Sequence, residues 1–240
     1  MRTLSNSDLL TLWERGFSMH PVDQALVTLN AALSEDSPET LTDWPLGRRN
    51  QALAELRCRC FGRNLEGWVS CNRCGEKLEF QMDATSLANR EAGGDHHSDQ
   101  PIVVNGKSFR VPTSRDLARI AGQTDSRSAA IRLLESCCVD KPERETLDEL
   151  SEEELEAVGQ RMAEADPLAE TLLHLHCPAC DNEWEQSLDI AAFLWKEIEA
   201  RAKRLVWEIH TLASAYGWTE TEILSLSEPR RALYLGMAQG

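Results

Sequence analysis

The stretch CNRCGEKLEFQMD (71–83) returns 106 residues later as CPACDNEWEQSLD (177–189). In both copies two residues separate the cysteines. An apolar residue follows four positions after the second Cys (Leu78, Trp184), then Glu (Glu79, Glu185), then an apolar residue (Met82, Leu188) and Asp (Asp83, Asp189). Upstream of each lies a strand-like segment, 65–70 and 172–176, so each copy reads as strand, knuckle, strand. A tetrahedral zinc ion needs four soft ligands, and two residues between cysteines let both thiolates of a knuckle reach one ion. Each copy therefore supplies half a site. Cys71, Cys74, Cys177 and Cys180 are the expected ligands of one Zn2+, the expected cofactor.

A lone C-x-x-C reads equally as a redox dithiol; the second copy with matched flanks favours metal. A closed four-thiolate site leaves no open position for water, so its role is structural, pinning 65–83 against 170–189 across a long insertion. His174 and His176 share one face of the second strand; replacing a cysteine ligand or lining a neighbouring site is the lesser reading for them, since four thiolates already suffice. Cys58, Cys60, Cys137 and Cys138 lack a matched pair and read as structural thiols; in a helix, Cys58 and Cys60 diverge.

Outward from the knuckles the chain reads as helical. Helices are expected over 7–15, 21–33 and 45–61, with Trp13, Phe17, Trp44 and Phe61 packing at their ends. Residues 89–100, with His96 and His97, read as a flexible polar loop and a candidate insertion. In 102–111, Asn105-Gly106 between β-branched runs signals a two-residue hairpin, expected to extend the ribbon's sheet. Helices follow over 113–121 and 126–138. Residues 143–170 hold 11 acidic and 2 basic side chains and include a Ser151/Glu154 capping box before the stripe Leu155, Val158, Met162. The stretch reads as a solvated acidic face, with a docking surface for a basic partner as the alternative.

The longest element is expected over 189–216, stopped by Gly217. Ile190, Leu194, Ile198, Ala202, Leu205, Ile209, Leu212 and Tyr216 form its apolar stripe, with Trp207 nearly opposite. Short helices follow over 219–224 and 227–237. The expected fold class is α+β, mainly helical, with a central four-cysteine zinc ribbon formed by the two strand-knuckle-strand units. It divides into an N-terminal helical layer (1–64), the ribbon with its inserted hairpin and acidic helices (65–188), and a C-terminal helical region (189–240).

With 42% hydrophobic and 27% charged residues, the 240-residue chain has an ordinary globular composition. Its net charge of −15 repels a phosphate backbone, which argues against a nucleic-acid partner. No apolar run spans a bilayer and no basic-then-apolar leader opens the chain, so no membrane partner is expected and the location is read as cytoplasmic. There the eight cysteines stay reduced. The chain has no G-x-S-x-G elbow, no H-E-x-x-H and no glycine-rich phosphate loop, and it is read as a non-enzyme. Residues 189–240 are nearly neutral, with seven acidic and six basic side chains. Trp207, Trp218, Arg230, Arg231 and Tyr234 have the composition of a partner-facing surface, the alternative being that they close the core of one compact domain.

The segments LWERG (12–16), WPLGRRNQALAELRCRCFG (44–62), CNRCGEKLEF (71–80), FRVPTSRDLA (109–118), CPAC (177–180), DIAAFLWKEIEARAKRL (189–205) and IHTLASAYGWTETEILSLSEPRRALYLGM (209–237) together carry a resemblance. The chain resembles proteins of contractile phage-tail-like injection clusters that are similar to baseplate-hub assembly proteins of contractile-tailed phages. The resemblance implies a chaperone-like factor or bound component of the baseplate hub, with tail-apparatus proteins as partners and no enzyme activity. It carries over the four cysteines as metal ligands, and Tyr216, Trp218, Arg230, Arg231 and Tyr234 as contact positions. The alternative is a zinc-ribbon transcription or nucleic-acid adaptor, against which the acidic charge counts.

Overall fold

In the computed structural model, residues 1–33, 38–89, 101–140 and 150–238 are described. Helices α1 (Asn6–Gly16), α2 (Pro21–Ala32), α3 (Pro38–Thr42) and α4 (Leu46–Phe61) lead into a first hairpin, β1 (Asn64–Ser70) and β2 (Lys77–Asp83). Then come α5 (Thr85–Ala88), a short hairpin β3 (Ile102–Val104) and β4 (Lys107–Phe109), and helices α6 (Ser114–Ile120), α7 (Ser126–Cys137) and α8 (Glu152–Ala165). A further hairpin, β5 (Leu172–His176) and β6 (Glu183–Ser187), runs into α9 (Ile190–Tyr216), α10 (Glu220–Ser225) and α11 (Glu228–Ala238). The fold is α+β and mainly helical, as read from the sequence. Ser5 with Asp8, Ser151 with Glu154 and Thr219 with Glu222 close capping boxes that start α1, α8 and α10.

The long helix α9 is the spine. Its stripe from Ile190 through Leu212 is buried apart from the half-buried Ile209, and α1, α2, α4, α10 and α11 pack against it. Asp189 starts it by accepting the Ala191 and Ala192 amides at 3.0 Å each, and Gly217, at φ +67, ends it in the left-handed conformation. The main core joins Leu29, Leu53, Leu56 and Leu65 to Leu194 and Ile198, drawing on the N-terminal layer, the first hairpin and α9 alike.

Two anchors position the hairpins. At the C-terminus of α4, the buried Arg57 guanidinium donates to both Glu197 carboxylate oxygens on α9 (3.0 and 2.8 Å) and to the Gly62 carbonyl (2.7 Å). This fixes where β1 leaves α4, next to the turn of α9 that follows β6. At the N-terminus of α4, the Asp166 carboxylate accepts the Gly47 amide at 2.8 Å, a distant acid filling the anion-friendly end of the helix. Gly47 leaves room for it, because a Cβ there would lie 1.8 Å from Asp166 Oδ1. Asn50 donates to the Leu168 and Ala169 carbonyls at 2.9 and 3.0 Å. The chain entering β5 is thus held by the helix from which β1 departs.

Three expectations change. Asn105 and Gly106 do turn a hairpin, both at positive φ (51° and 76°), but β3 and β4 form their own two-stranded sheet and do not extend the ribbon. The edge of β4 is covered by its own neighbourhood: Arg110 N–H donates to the Cys137 carbonyl and Val139 N–H to that of Ser108. Phe109 enters a second core with Ile131, Leu134, Val158 and Met162. Phe17 is 68% exposed, its ring tilted against Trp13, because the face of α1 toward α9 is closed at Gly16 by the Trp195 ring. Tyr216 lies past the core and stacks on Trp218.

Candidate metal centre

The two knuckles are built alike. Ser70 pairs with Lys77 and His176 with Glu183, the same register in both hairpins. In the first knuckle the Cys71 amide donates to the Glu76 carbonyl (2.8 Å) and the Gly75 amide to that of Cys71 (2.9 Å). In the second, Cys177 to Asn182 and Asp181 to Cys177 repeat these bonds at 2.9 Å each. The residue after each second cysteine takes a left-handed turn, Gly75 at φ +77 and Asp181 at φ +51. Glycine does so freely and Asp tolerates it, which is why the second copy can dispense with glycine.

The knuckles face each other. Asn182 Nδ2 donates to Asn72 Oδ1 across the gap at 2.7 Å. Cys71 Sγ lies 3.7 Å from Cys180 Sγ, Cys74 Sγ lies 3.6 Å from Cys177 Sγ, and all four sulfurs fall within 4.8 Å of one another. Four thiolates at ~2.3 Å from a central ion in a tetrahedron stand about 3.8 Å apart, so the cluster fits a four-coordinate metal ion. Cys71 and Cys177 are buried, Cys180 is half-buried and Cys74 is exposed.

The four sulfurs act on one another's ionisation. Burial works against ionising Cys71, but amide donors from Cys74 and Arg73 and the neighbouring thiols outweigh it and bring its pKa to about 6. Cys180 is pushed up to about 12 by burial and by the three other sulfurs. Negative charges this close repel one another, so the first thiolate forms readily and the last is suppressed until a cation offsets them.

The sequence-read ligands Cys71, Cys74, Cys177 and Cys180 are thus brought together. His174 and His176 are not. Both point outward from β5, His174 Nδ1 3.2 Å from Glu185 and His176 Nε2 3.5 Å from Asp181. His96 and His97 lie outside the described residues. The remaining cysteines sit apart: Cys58 and Cys60 are held protonated by burial, and burial pushes Cys137 up to about 11. Among the described residues the four knuckle cysteines are the one group that can hold a metal ion.

The residues read as partner-facing divide. Trp207 is 51% exposed, and Arg230 is exposed. Trp218 and Tyr234 are half-buried and form an aromatic cluster with Tyr216, ring centroids 4.7 to 5.8 Å apart. Arg231 is a correction: it is buried at 1% exposure, and its Nε donates to Glu208 Oε2 on α9 at 2.6 Å. Arg231 turns toward α9 while Arg230, about 100° round the helix, turns outward, so the two do not share a surface here. Sequence reading missed Leu233 and Met237, both more than 60% exposed on α11. Apolar residues four apart normally signal a core face, and that signal misleads here.

No family model, curated protein or solved structure matches the chain. No helix among the described residues is long and apolar enough to cross a membrane.

Proposed function

We propose that the protein is a non-enzymatic assembly or structural component of a contractile phage-tail-like apparatus, acting at the baseplate hub, with its two hairpins locked by one structural zinc ion. The observation that carries the structural role is the closed cage of four thiolates at the tips of two matched hairpins. Zinc suits it because it accepts four sulfurs tetrahedrally without redox chemistry, and a site with four protein ligands has no position for a reacting water. The link to the tail apparatus rests on the sequence resemblance. The acidic surface and the exposed aromatic and apolar side chains of α9 and α11 are in keeping with a protein that works by contact.

The test is assembly in the presence and absence of the protein. Co-expression of the sheath, tube, spike and hub proteins of one cluster should yield particles with this chain and incomplete baseplates without it. Normal particles in its absence would end the proposal. Zinc is tested separately, by elemental analysis of the purified, reduced protein.

A further inference from the structure

The first hairpin leaves one edge open. The Ala84 amide donates to the Arg63 carbonyl and the Cys71 amide to that of Glu76, which fixes the alternation of the ladder between them. Leu65, Gly67 and Val69 turn their backbone groups to β2, and Glu66, Trp68 and Ser70 turn theirs the other way. The amides and carbonyls of these three have no partner among the described residues. Natural edge strands are blunted by charge, proline or cover. β2 carries Lys77, Glu79 and Asp83, β6 carries Glu183 and Glu185, and the segment after α7 covers β4. β1, seven residues long, has Glu66 as its one charge and no proline, and its Trp68 is 68% exposed.

A groove of about 630 Å³ runs along this edge. It is lined by four consecutive residues of β1 (67–70), by 186–189 where β6 passes into α9, and by Phe80, Leu173, Phe193 and Lys196. Successive strand residues point to opposite faces, so a groove that touches all four follows an edge of β1, and β2 occupies the other edge. Phe80 reaches the groove because Gly67 has no side chain: a Cβ there would lie 2.6 Å from the Phe80 ring and 3.4 Å from that of Phe193. A second hollow of about 380 Å³, lined by Trp68, Val69, Ser70 and Lys77, lies toward the knuckle.

The edge specifies what fills it. A row of outward amides and carbonyls at strand spacing is matched by another extended backbone; a helix has spent its own backbone groups internally, and a lipid has no such row. The far wall at 186–189 and α9 beneath leave space for one strand. A strand of a second copy's hairpin arrives bonded to its neighbour, which that wall excludes. Charge sets the rest. Lys77 and Lys196 have no carboxylate partner among the described residues, and the one acid lining either hollow, Asp189, is engaged by the Ala191 and Ala192 amides. We infer that β1 takes an extended segment of another protein as a third strand of the first hairpin. That segment has apolar side chains at alternate positions against Phe80, Leu173 and Phe193, and an Asp or Glu within reach of Lys77 or Lys196. The inference rests on the proposed function only in needing a protein partner.

The experiment replaces Trp68 by a photo-cross-linking phenylalanine in the full chain, in cells that produce the native set of partners, with Val103, 61% exposed on β3, as control position. The expected result is one cross-linked segment of another protein, apolar at every second residue and carrying an Asp or Glu, seen from 68 and not from 103. Made as a peptide, that segment should slow hydrogen exchange of the Trp68 and Ser70 amides of the wild-type chain at least about tenfold. Trp68→Pro removes an outward amide that the hairpin does not use, whereas Trp68→Thr keeps it. The peptide should bind the proline variant at least about tenfold more weakly than the threonine variant. Melting curves verify that both fold; if Trp68→Pro unfolds, the amide exchange of the wild-type chain decides. Cross-links to the chain itself, to lipid or to nothing, equal yield from position 103, unchanged exchange at Trp68 and Ser70, or equal binding by the two folded variants would each overturn the inference. A matching segment from a protein outside the tail apparatus would uphold the strand addition while ending the proposed function. Particles that need the chain but give no cross-link would do the reverse.

Discussion

Replacing Arg231 by Ala removes one half of a buried ion pair. Arg231 is 1% exposed and its partner Glu208 7%, and the Nε to Oε2 distance is 2.6 Å. Removing one member of such a pair costs about 3–5 kcal/mol, because the other charge stays buried without its partner. The lower end applies here. Glu208 keeps Arg204 on its other oxygen at 3.0 Å, and the lost arginine itself has one buried nitrogen, Nη2, without an acceptor among the described residues. At roughly 2–4 °C per kcal/mol for a chain of this size, about 3 kcal/mol lowers the melting temperature by about 6–12 °C. Arg230→Ala, at an exposed site, should change stability by no more than about 0.5 kcal/mol. The assay is thermal unfolding by circular dichroism of the two single variants beside wild type. Replacing the pair together, Arg231→Met with Glu208→Gln, should recover most of the loss, since no buried charge is then stranded. Equal melting temperatures for the two single alanine variants would refute the assignment of Arg231 to the interior.

Four further outcomes are expected. Purified reduced protein should hold about one zinc per chain, and Cys177→Ser should lose both metal and stability while Cys137→Ser keeps its metal and loses only a small buried apolar group; elemental analysis with melting curves checks both. Gly47→Ala should lower stability by about 1–3 kcal/mol, read from urea unfolding, because its Cβ would displace the Asp166 carboxylate that caps α4. Burial alone would raise the Asp116 pKa, but bonds from Arg110 and Thr113 outweigh it and hold it at about 2; a depressed acid stabilises above its unfolded value and loses that contribution as pH falls, so about 1–2 kcal/mol should disappear between roughly pH 4 and 2, and Asp116→Asn should flatten that part of the curve. Duplex DNA should show no gel shift near physiological salt, where a chain of charge −15 releases no counterions from the phosphates.

The four-cysteine cluster was legible in the sequence because its signal is local and repeated. Two residues between cysteines and flanking strand segments of equal spacing are properties of short segments, and the offset of 106 states that there are two of them. The start and end of α9 were legible for the same reason, since Asp189 and Gly217 act on adjacent backbone groups. The hairpin at Asn105-Gly106 was readable as a turn but not in its placement. Which sheet a strand joins depends on what covers its edge, here the segment after α7.

Local chemistry therefore marked the four clustered cysteines, the helix ends and the turns, each fixed by groups a few residues apart. The tertiary structure alone decided that Asp166 caps α4 and that Arg57 ties α4 to α9, bringing the two halves of the cage within 4.8 Å. It alone decided that Arg231 turns inward while Leu233 and Met237 turn outward. An arginine, a leucine and a methionine carry no mark of their side in one sequence; the side is set by where Glu208 stands on another helix, 23 residues away.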